Sequence, residues 1–364
     1  MNLSEKSRTH IDQCRFCWMC RHICPVGNAT GQERNTARAR ALGLSLVVRD
    51  AMELKDVVDN LYECAGCGAC VKECVTGWDP VAFTKEARLQ ALLDGVTPDY
   101  IRKLIDNCLD CGNAYGAAVT DEALKSAIAD HQERTDLLLF LGTDARTQVP
   151  GAAVNAIRLM EKLNVPFTVL EDEPESGNQL DYLTGASEET HRQMVHCASK
   201  ISDFATVVAF DPADAKVMLR EYKEWQVPCS AKIRTFTSFL AEQLKAGALQ
   251  LKQTGRAVTY QDPFQLARDL TETEEPRALI SACAELHEML LNRKDTMWAG
   301  NILMAQYIPQ TIQKVAADRL QNVLGVDQSV IVTASVSEYA ALKSVVQDSV
   351  TVLSIEELLL EVAK

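Results

Sequence analysis

The hydrophobic and polar positions change rhythm once along this chain. Over residues 1–112 apolar positions recur at helical spacing, and no stretch alternates as a strand would. Segments 33–49 and 51–62 read as helices. Asp79-Pro80 supplies an N-cap and a first-turn proline for a helix over 81–93, and another helix follows over about 99–107. Gly112-Asn113-Ala114-Tyr115-Gly116 interrupts the pattern and opens a linker expected over 113–135. From residue 136 strands and helices alternate. Leu137-Leu-Leu-Phe-Leu141 is a short apolar run suited to a buried parallel strand. Ala153, Ala156, Ile157 and Met160 then recur at helical spacing, and 165–170 reads as a second strand, completing a βαβ unit. Further on, 206–210 leads into Asp211-Pro212 and a helix to Trp225, and 233–236 leads into a helix over 238–246. The order returns near the end. A strand at 329–333 precedes a helix from Ser337, and one at 350–353 precedes Ser354-Ile355-Glu356-Glu357, a capping box. Segments 136–250 and 251–364 therefore read as a diverged duplication, one α/β unit each.

Two cysteine runs are set into the helical region: Cys14-Arg-Phe-Cys17-Trp-Met-Cys20-Arg-His-Ile-Cys24-Pro25 and Cys64-Ala-Gly-Cys67-Gly-Ala-Cys70-Val-Lys-Glu-Cys74. Each reads C-x2-C-x2-C-x3-C. In that spacing three cysteines wrap one cubane iron–sulfur cluster and the fourth crosses to the other. The predicted ligands are Cys14, Cys17, Cys20 and Cys74 for one 4Fe–4S cluster, and Cys64, Cys67, Cys70 and Cys24 for a second. Zinc sites need separated pairs of C-x2-C and have no use for the third and fourth cysteines. The fold class expected is an α-helical, dicluster ferredoxin-like domain at 1–112 followed by a duplicated α/β domain.

With 364 residues the chain has room for two or three domains. No apolar run approaches the ~20 residues of a spanning helix. The opening residues lack the apolar core of a secretory signal, so a reducing, cytoplasmic location is expected. The net charge of −13 argues against a nucleic-acid partner. Residues 1–49 depart from that balance, with eight Lys/Arg against Glu5, Asp12 and Glu33, a local +5 that leaves −18 elsewhere. Three readings stay open: a docking patch for an acidic partner, electrostatic support for anionic clusters, and solvation of an exposed helix. His22 reads as a donor to a cluster sulfur or as a solvated helix residue. Trp18 and Phe16 would shield a cluster from water. Cys108-Leu-Asp-Cys111 holds two of the four ligands a site needs and reads as incidental thiols, a redox pair or an intersubunit site. Cys197, Cys229 and Cys283 read as buried free thiols. Neither a dinucleotide fingerprint nor a P-loop is present.

On these motifs the chain resembles the iron–sulfur subunits of glycolate oxidase and anaerobic glycerol-3-phosphate dehydrogenase, and D-type heterodisulfide reductase subunits. The Gly112–Gly116 linker and the paired α/β units extend the resemblance over nearly the whole length. The resemblance implies a cysteine-rich CCG motif in each α/β unit, and there the chain departs from it. Thr143 follows Gly142 where the family has Gly-Cys. Glu175-Ser176-Gly177 and Trp298-Ala299-Gly300 stand for the two Cys-Cys-Gly runs, Phe264 replaces a cysteine in Tyr260-Gln-Asp-Pro-Phe-Gln-Leu-Ala-Arg268, and Val332–Val336 stands at the final Cys-Pro-x-Cys. None of these side chains replaces a thiolate. The resemblance implies a non-catalytic electron-transfer subunit working with an FAD-binding dehydrogenase subunit or an electron-transfer flavoprotein, peripheral to a membrane only through that partner. Its alternative is a heterodisulfide-reductase-like enzyme with a site of its own in the α/β domain, and a third reading is a redox sensor.

Overall fold

Capping residues and buried faces divide the first part of the chain into short helices; the computed structural model describes residues 3–15, 17–346 and 349–364. Helix Glu5–Asp12 starts at Ser4, whose Oγ accepts from the Ser7 N–H and donates to Glu86. Helix Pro80–Leu93 carries Glu86 and begins where expected, with the Asp79 carboxylate accepting from Val81 and Ala82, each at 3.0 Å. It buries Phe83, Ala87 and Ala91 against Leu44, Leu61 and Ile101. Helix Asp99–Cys111 ends at Gly112 in the left-handed conformation.

Two expected helices are broken. Segment 33–49 is a 3-10 turn, Glu33–Asn35, and then helix Ala37–Val48 capped by Thr36. The break frees the Asn35 carbonyl, which accepts from buried Arg40. Segment 51–62 divides likewise into Leu54–Asp56 and Val58–Tyr62, because Glu53 and Asp56 close a capping box ahead of the second helix. Segment 113–135 is more than a connection. It holds helix Glu122–Ala129, capped by Asp121, and its Leu124 and Ile128 join the core of the first sheet.

Strands β1 (Leu137–Phe140), β2 (Thr206–Ala209) and β3 (Lys232–Thr235) form a parallel sheet in the order β1-β2-β3, with Leu137 opposite Thr206 and Thr206 opposite Lys232. The strand expected at 165–170 does not form. Thr168 alone bridges to Leu138, since Pro166 has no N–H to offer a ladder. The helix expected up to Trp225 is Pro212–Lys216 followed by a π turn, Val217–Glu221, and Tyr222–Glu224. Strands β4 (Ala257–Gln261), β5 (Glu285–Leu286), β6 (Val330–Thr333) and β7 (Thr351–Ser354) form a second parallel sheet, ordered β5-β4-β6-β7. One apolar core joins the sheets: Leu139 and Val208 share it with Val258, Val332 and Leu353. The capping box at Ser354 is present.

Gly177 and Gly300 have φ of +99° and +114°. A Cβ at Gly177 would meet Met194 Cγ at 2.5 Å, and one at Gly300 would meet Ala341 Cβ at 2.8 Å. Both strain and space exclude any other residue, so the glycines of the altered motifs are kept by the backbone itself. Gly300→Ala should lower stability by about 2–4 kcal/mol, from a disfavoured φ and an overfilled contact. Denaturant midpoints of the variant and the parent chain check this, and equal midpoints would refute it.

Candidate metal centre

The two cysteine runs fold alike. In each, a residue in the left-handed conformation opens a one-turn helix: Trp18 (φ 69°) before Met19–Ile23, and Gly68 (φ 70°) before Ala69–Glu73. Each helix ends on an extended cysteine, Cys24 or Cys74. The two short helices pack on each other. That pairing carries Cys24 to the second run, where it acts electrostatically on Cys67 and Cys70 and itself feels Cys64. Cys14 and Cys17 act in the same way on Cys20. The thiol of Cys74 lies 3.1 Å from the Thr76 hydroxyl, at the end of the helix that faces Met19–Ile23. Among the described residues no three His, Cys, Asp or Glu side chains converge as the ligands of a single ion do. Thiolates bound to separate corners of a cubane stand further apart than that.

The groups differ in surroundings. Cys24, Cys64 and Cys67 are buried and Cys70 is half-buried, whereas Cys17 is exposed and Cys14, Cys20 and Cys74 are half-buried. Three guanidiniums close round the inner group. Arg40 donates to the carbonyls of Asn35 and Asn60, at 3.2 and 3.5 Å. Arg88 donates to Leu61, Cys64 and Tyr182 carbonyls at 2.7, 2.8 and 2.6 Å. Arg268 donates to Cys67 O and Thr296 O, both at 2.7 Å. Arg40 Nε and Arg268 Nη2 are buried without a hydrogen-bond partner. None of the three has a carboxylate in ion-pair contact among the described residues; all face carbonyls and thiols.

A buried cation without a counter-charge is strongly disfavoured. The thiols are the available anions, and the residues present fit a group that binds them as thiolates. Burial pushes the Cys64 thiol up, yet Arg40 and Arg88 outweigh it and hold the pKa below the usual thiol value. Cys67 is pushed up to about 11 by burial, with Arg268 opposing. A unit charge ~6 Å away at an effective dielectric of ~20 is worth about 3 kcal/mol, so three of them rival the several kcal/mol that burying an ion costs. N–H groups also reach sulfur: Gly66 to Cys64 and Gly27 to Cys24, each at 3.4 Å. Five residues of the basic excess at 1–49 have a visible role. Arg40 faces the thiols, while Arg21 and Arg38 pair with Glu33, Arg34 with Glu63 and Arg49 with Asp12.

The α/β region is locked onto the inner group. Tyr182 and Tyr307 meet through their hydroxyls at 2.8 Å, and both point at the loop before Cys67: Tyr182 donates to Cys64 O at 3.0 Å and Tyr307 to Tyr62 O at 2.8 Å. Arg88 stacks over Tyr182 with its guanidinium 4.3 Å from the ring. Neither the tyrosines nor Arg268 was marked as part of the site in the sequence, although Arg88, alone among Phe83, Ala87 and Ala91 on a buried face, carried a legible signal.

Other candidates fall into place. His22 is exposed on Met19–Ile23, the solvated reading. Trp18 is 42% exposed with Arg38 stacked 3.9 Å from its ring, a partial cover for the outer group. Phe16 lies outside the described residues. Cys108 is buried in the helical core and Cys111 is exposed, both as free thiols, and Cys197 and Cys283 are buried while Cys229 is half-buried.

At the altered α/β motifs, carboxylates and apolar groups occupy the space. Glu173 accepts from the N–H groups of Leu141 and Gly142, both at 2.8 Å, and Glu175 from that of Gly177 at 2.8 Å. Trp298 and Ala299 are buried. Burial pushes Glu356 and Glu338 up to about 8, and Asp211 up to about 7. Such acids hold a proton when folded and release it when unfolded. Their stabilisation is complete below the unfolded value near 4.5 and is lost as the pH rises toward 8. Urea midpoints followed through tryptophan fluorescence should therefore fall between pH 5 and pH 9, and Glu356→Gln should remove about 4 kcal/mol of that dependence, at ~1.4 kcal/mol per pKa unit. A variant as pH-sensitive as the parent would contradict this.

The 4Fe-4S dicluster domain family matches residues 10–78. A probable membrane-anchored ferredoxin of Chromohalobacter salexigens is 29% identical over 330 residues, 77% of this chain, and the chain spans about half, 48%, of that relative's length. The D-type polypeptide of the dihydromethanophenazine:CoB–CoM heterodisulfide reductase of Methanosarcina acetivorans is 23% identical over 375 residues, 92% of this chain and 88% of that polypeptide. The crystal structure of a hypothetical protein from Helicobacter pylori has the same fold, with a TM-score of 0.62 at 10% identity over 99% of this chain and 73% of that one. No helix among the described residues is long and apolar enough to cross a membrane. The chain is thus an iron–sulfur protein that carries a 4Fe–4S dicluster domain and resembles the D-type heterodisulfide reductase subunits over most of its length.

Proposed function

We propose that this chain is the electron-transfer subunit of a cytoplasmic oxidoreductase complex, with two 4Fe–4S clusters. Cys14, Cys17, Cys20 and Cys74 would hold the outer one, and Cys24, Cys64, Cys67 and Cys70 the inner one. The clusters, when bound, take up and pass on single electrons. The observation that carries this reading is the convergence of Arg40, Arg88 and Arg268 on the inner thiols, with no carboxylate in ion-pair contact with any of the three among the described residues. The chain's own residues shield, hold and electrostatically balance the clusters, and the α/β region, read as a duplicated scaffold over 136–250 and 251–364, fixes the inner one in place. The donor is a flavin-containing partner, an FAD-linked dehydrogenase of 2-hydroxy acids or an electron-transfer flavoprotein, and peripheral membrane contact would come through that partner. No thiol stands at the altered motifs, which disfavours a heterodisulfide-reducing site within this chain.

Anaerobic purification should yield about eight irons per chain and, on reduction, two interacting EPR signals. About four irons would leave one group without a cluster, and about twelve would bring in Cys108 and Cys111. Dehydrogenase activity should appear only when a flavoprotein co-purifies. Disulfide reduction by the isolated chain would overturn the relay.

A further inference from the structure

The outer and inner thiol groups stand in opposite electrostatic settings. The outer group opens to solvent, with Trp18 42% and Met19 49% exposed between Cys17 and Cys20, and Val75 90% exposed after Cys74. The guanidiniums beside it, Arg21 and Arg38, share the single carboxylate of Glu33, which offsets one of their two charges. The inner group is enclosed, and its three guanidiniums have no carboxylate in ion-pair contact among the described residues, with Glu63 acting on Arg40, and Asp269 and Glu338 on Arg268, only through space. One of them, Arg268, comes from the α/β region, 201 residues beyond the cysteine whose carbonyl it holds. It is fixed on three sides: Nε to Cys67 O at 2.7 Å, and Nη1 to Thr296 O at 2.7 Å and Lys294 O at 3.2 Å. Its Nη2 is buried without a partner, and its Nε lies 4.0 Å from where a Cβ on Gly68 would stand. Gly68 thus leaves the guanidinium against the loop that joins Cys67 to Cys70, with nothing between.

We propose that Arg268 is a positioning residue that holds a fixed positive charge against the inner cluster, making it the higher-potential member of the pair, so that electrons entering at the solvent-facing outer cluster run inward. The inference rests on the two-cluster reading above. Accepting one electron adds one negative charge to a thiolate-ligated cubane and makes or breaks no bond. The reduced state is therefore stabilised by nearby cations and penalised by burial. At the inner group three guanidiniums stand against that penalty, Arg40 on Asn35 O, Arg88 on Leu61 O and Cys64 O, and Arg268 on Cys67 O, all held in place by those bonds. At the outer group solvent screens the charges and Glu33 offsets one of the two guanidiniums, so the pull on an electron is weaker. The flavin partner of the proposed complex supplies the electron.

An EPR-monitored redox titration of the anaerobically prepared full chain, with dithionite as reductant, tests this. Two one-electron couples are expected. Arg268→Gln should lower the higher one by at least about tenfold in its reduction equilibrium, about 59 mV for one electron, and leave the lower one in place. Arg268→Lys, which keeps the charge but loses the forked hydrogen bonds, should retain most of the parent potential. An unmoved higher couple, a shift in the lower couple, or equal losses in both variants would overturn the proposal. If the Gln variant does not accumulate, the parent and the Lys variant still decide, because coincident couples in the parent or a full loss in the Lys variant would overturn it. An iron content near four would instead remove the two-cluster reading itself, with the potentials left out of account.

Discussion

A guanidinium enclosed in a protein interior must be answered by negative charge, and carbonyl oxygens answer only its hydrogen bonds. Arg40 and Arg88 are almost wholly buried and Arg268 is half-buried, and all three turn to carbonyls beside cysteines. Much of the architecture serves that arrangement. The chain breaks its helix at Asn35 to free a carbonyl for Arg40, ends helix Val58–Tyr62 so that Leu61 O meets Arg88, and brings the segment after β4 back across the molecule to deliver Arg268. Without an anion at the cysteines these would be costly choices made three times over.

The two C-x2-C-x2-C-x3-C runs were legible because their spacing is local: three-residue steps place thiols round one turn of chain, whatever lies elsewhere. Asp79-Pro80 and Ser354–Glu357 were legible for the same reason, since a cap needs only its own first turn. What sequence could not give was set by distance. Arg268 and Cys67 lie 201 positions apart, and Tyr182 and Tyr307 lie 125 apart. Local rules also failed where two of them competed. Segment 165–170 is apolar enough for a strand but Pro166 removes a ladder donor, and segments 33–49 and 51–62 have helical spacing but contain Thr36 and Glu53, better caps than interior residues.

The α/β region keeps tightly defined turns at the positions where the resemblance implies cysteines. Those positions hold Thr143, Glu175, Ser176, Phe264, Trp298 and Ala299. The backbone that presented them is unchanged in its demands, because Gly177 and Gly300 sit where no Cβ fits. Carboxylates settle onto N–H groups at the same turns, Glu173 on Leu141 and Gly142 and Glu175 on Gly177, so the N–H groups of these buried turns are satisfied. The α/β region acts as a clamp on the inner group, through Tyr182, Tyr307 and Arg268.

The paired tyrosines carry a consequence for how such a chain evolves. Tyr182 and Tyr307 reach Cys64 O and Tyr62 O from two different segments of the α/β region, and Leu180, Leu183 and Leu303 complete the apolar core of the ferredoxin-like part. Lifting out the first 112 residues would strip that core of side chains and leave carbonyls bare beside the cysteines. The dicluster portion is therefore no interchangeable cassette: any recombination that replaced one part would have to bring a matching surface with the other, and the two are bound to diverge together.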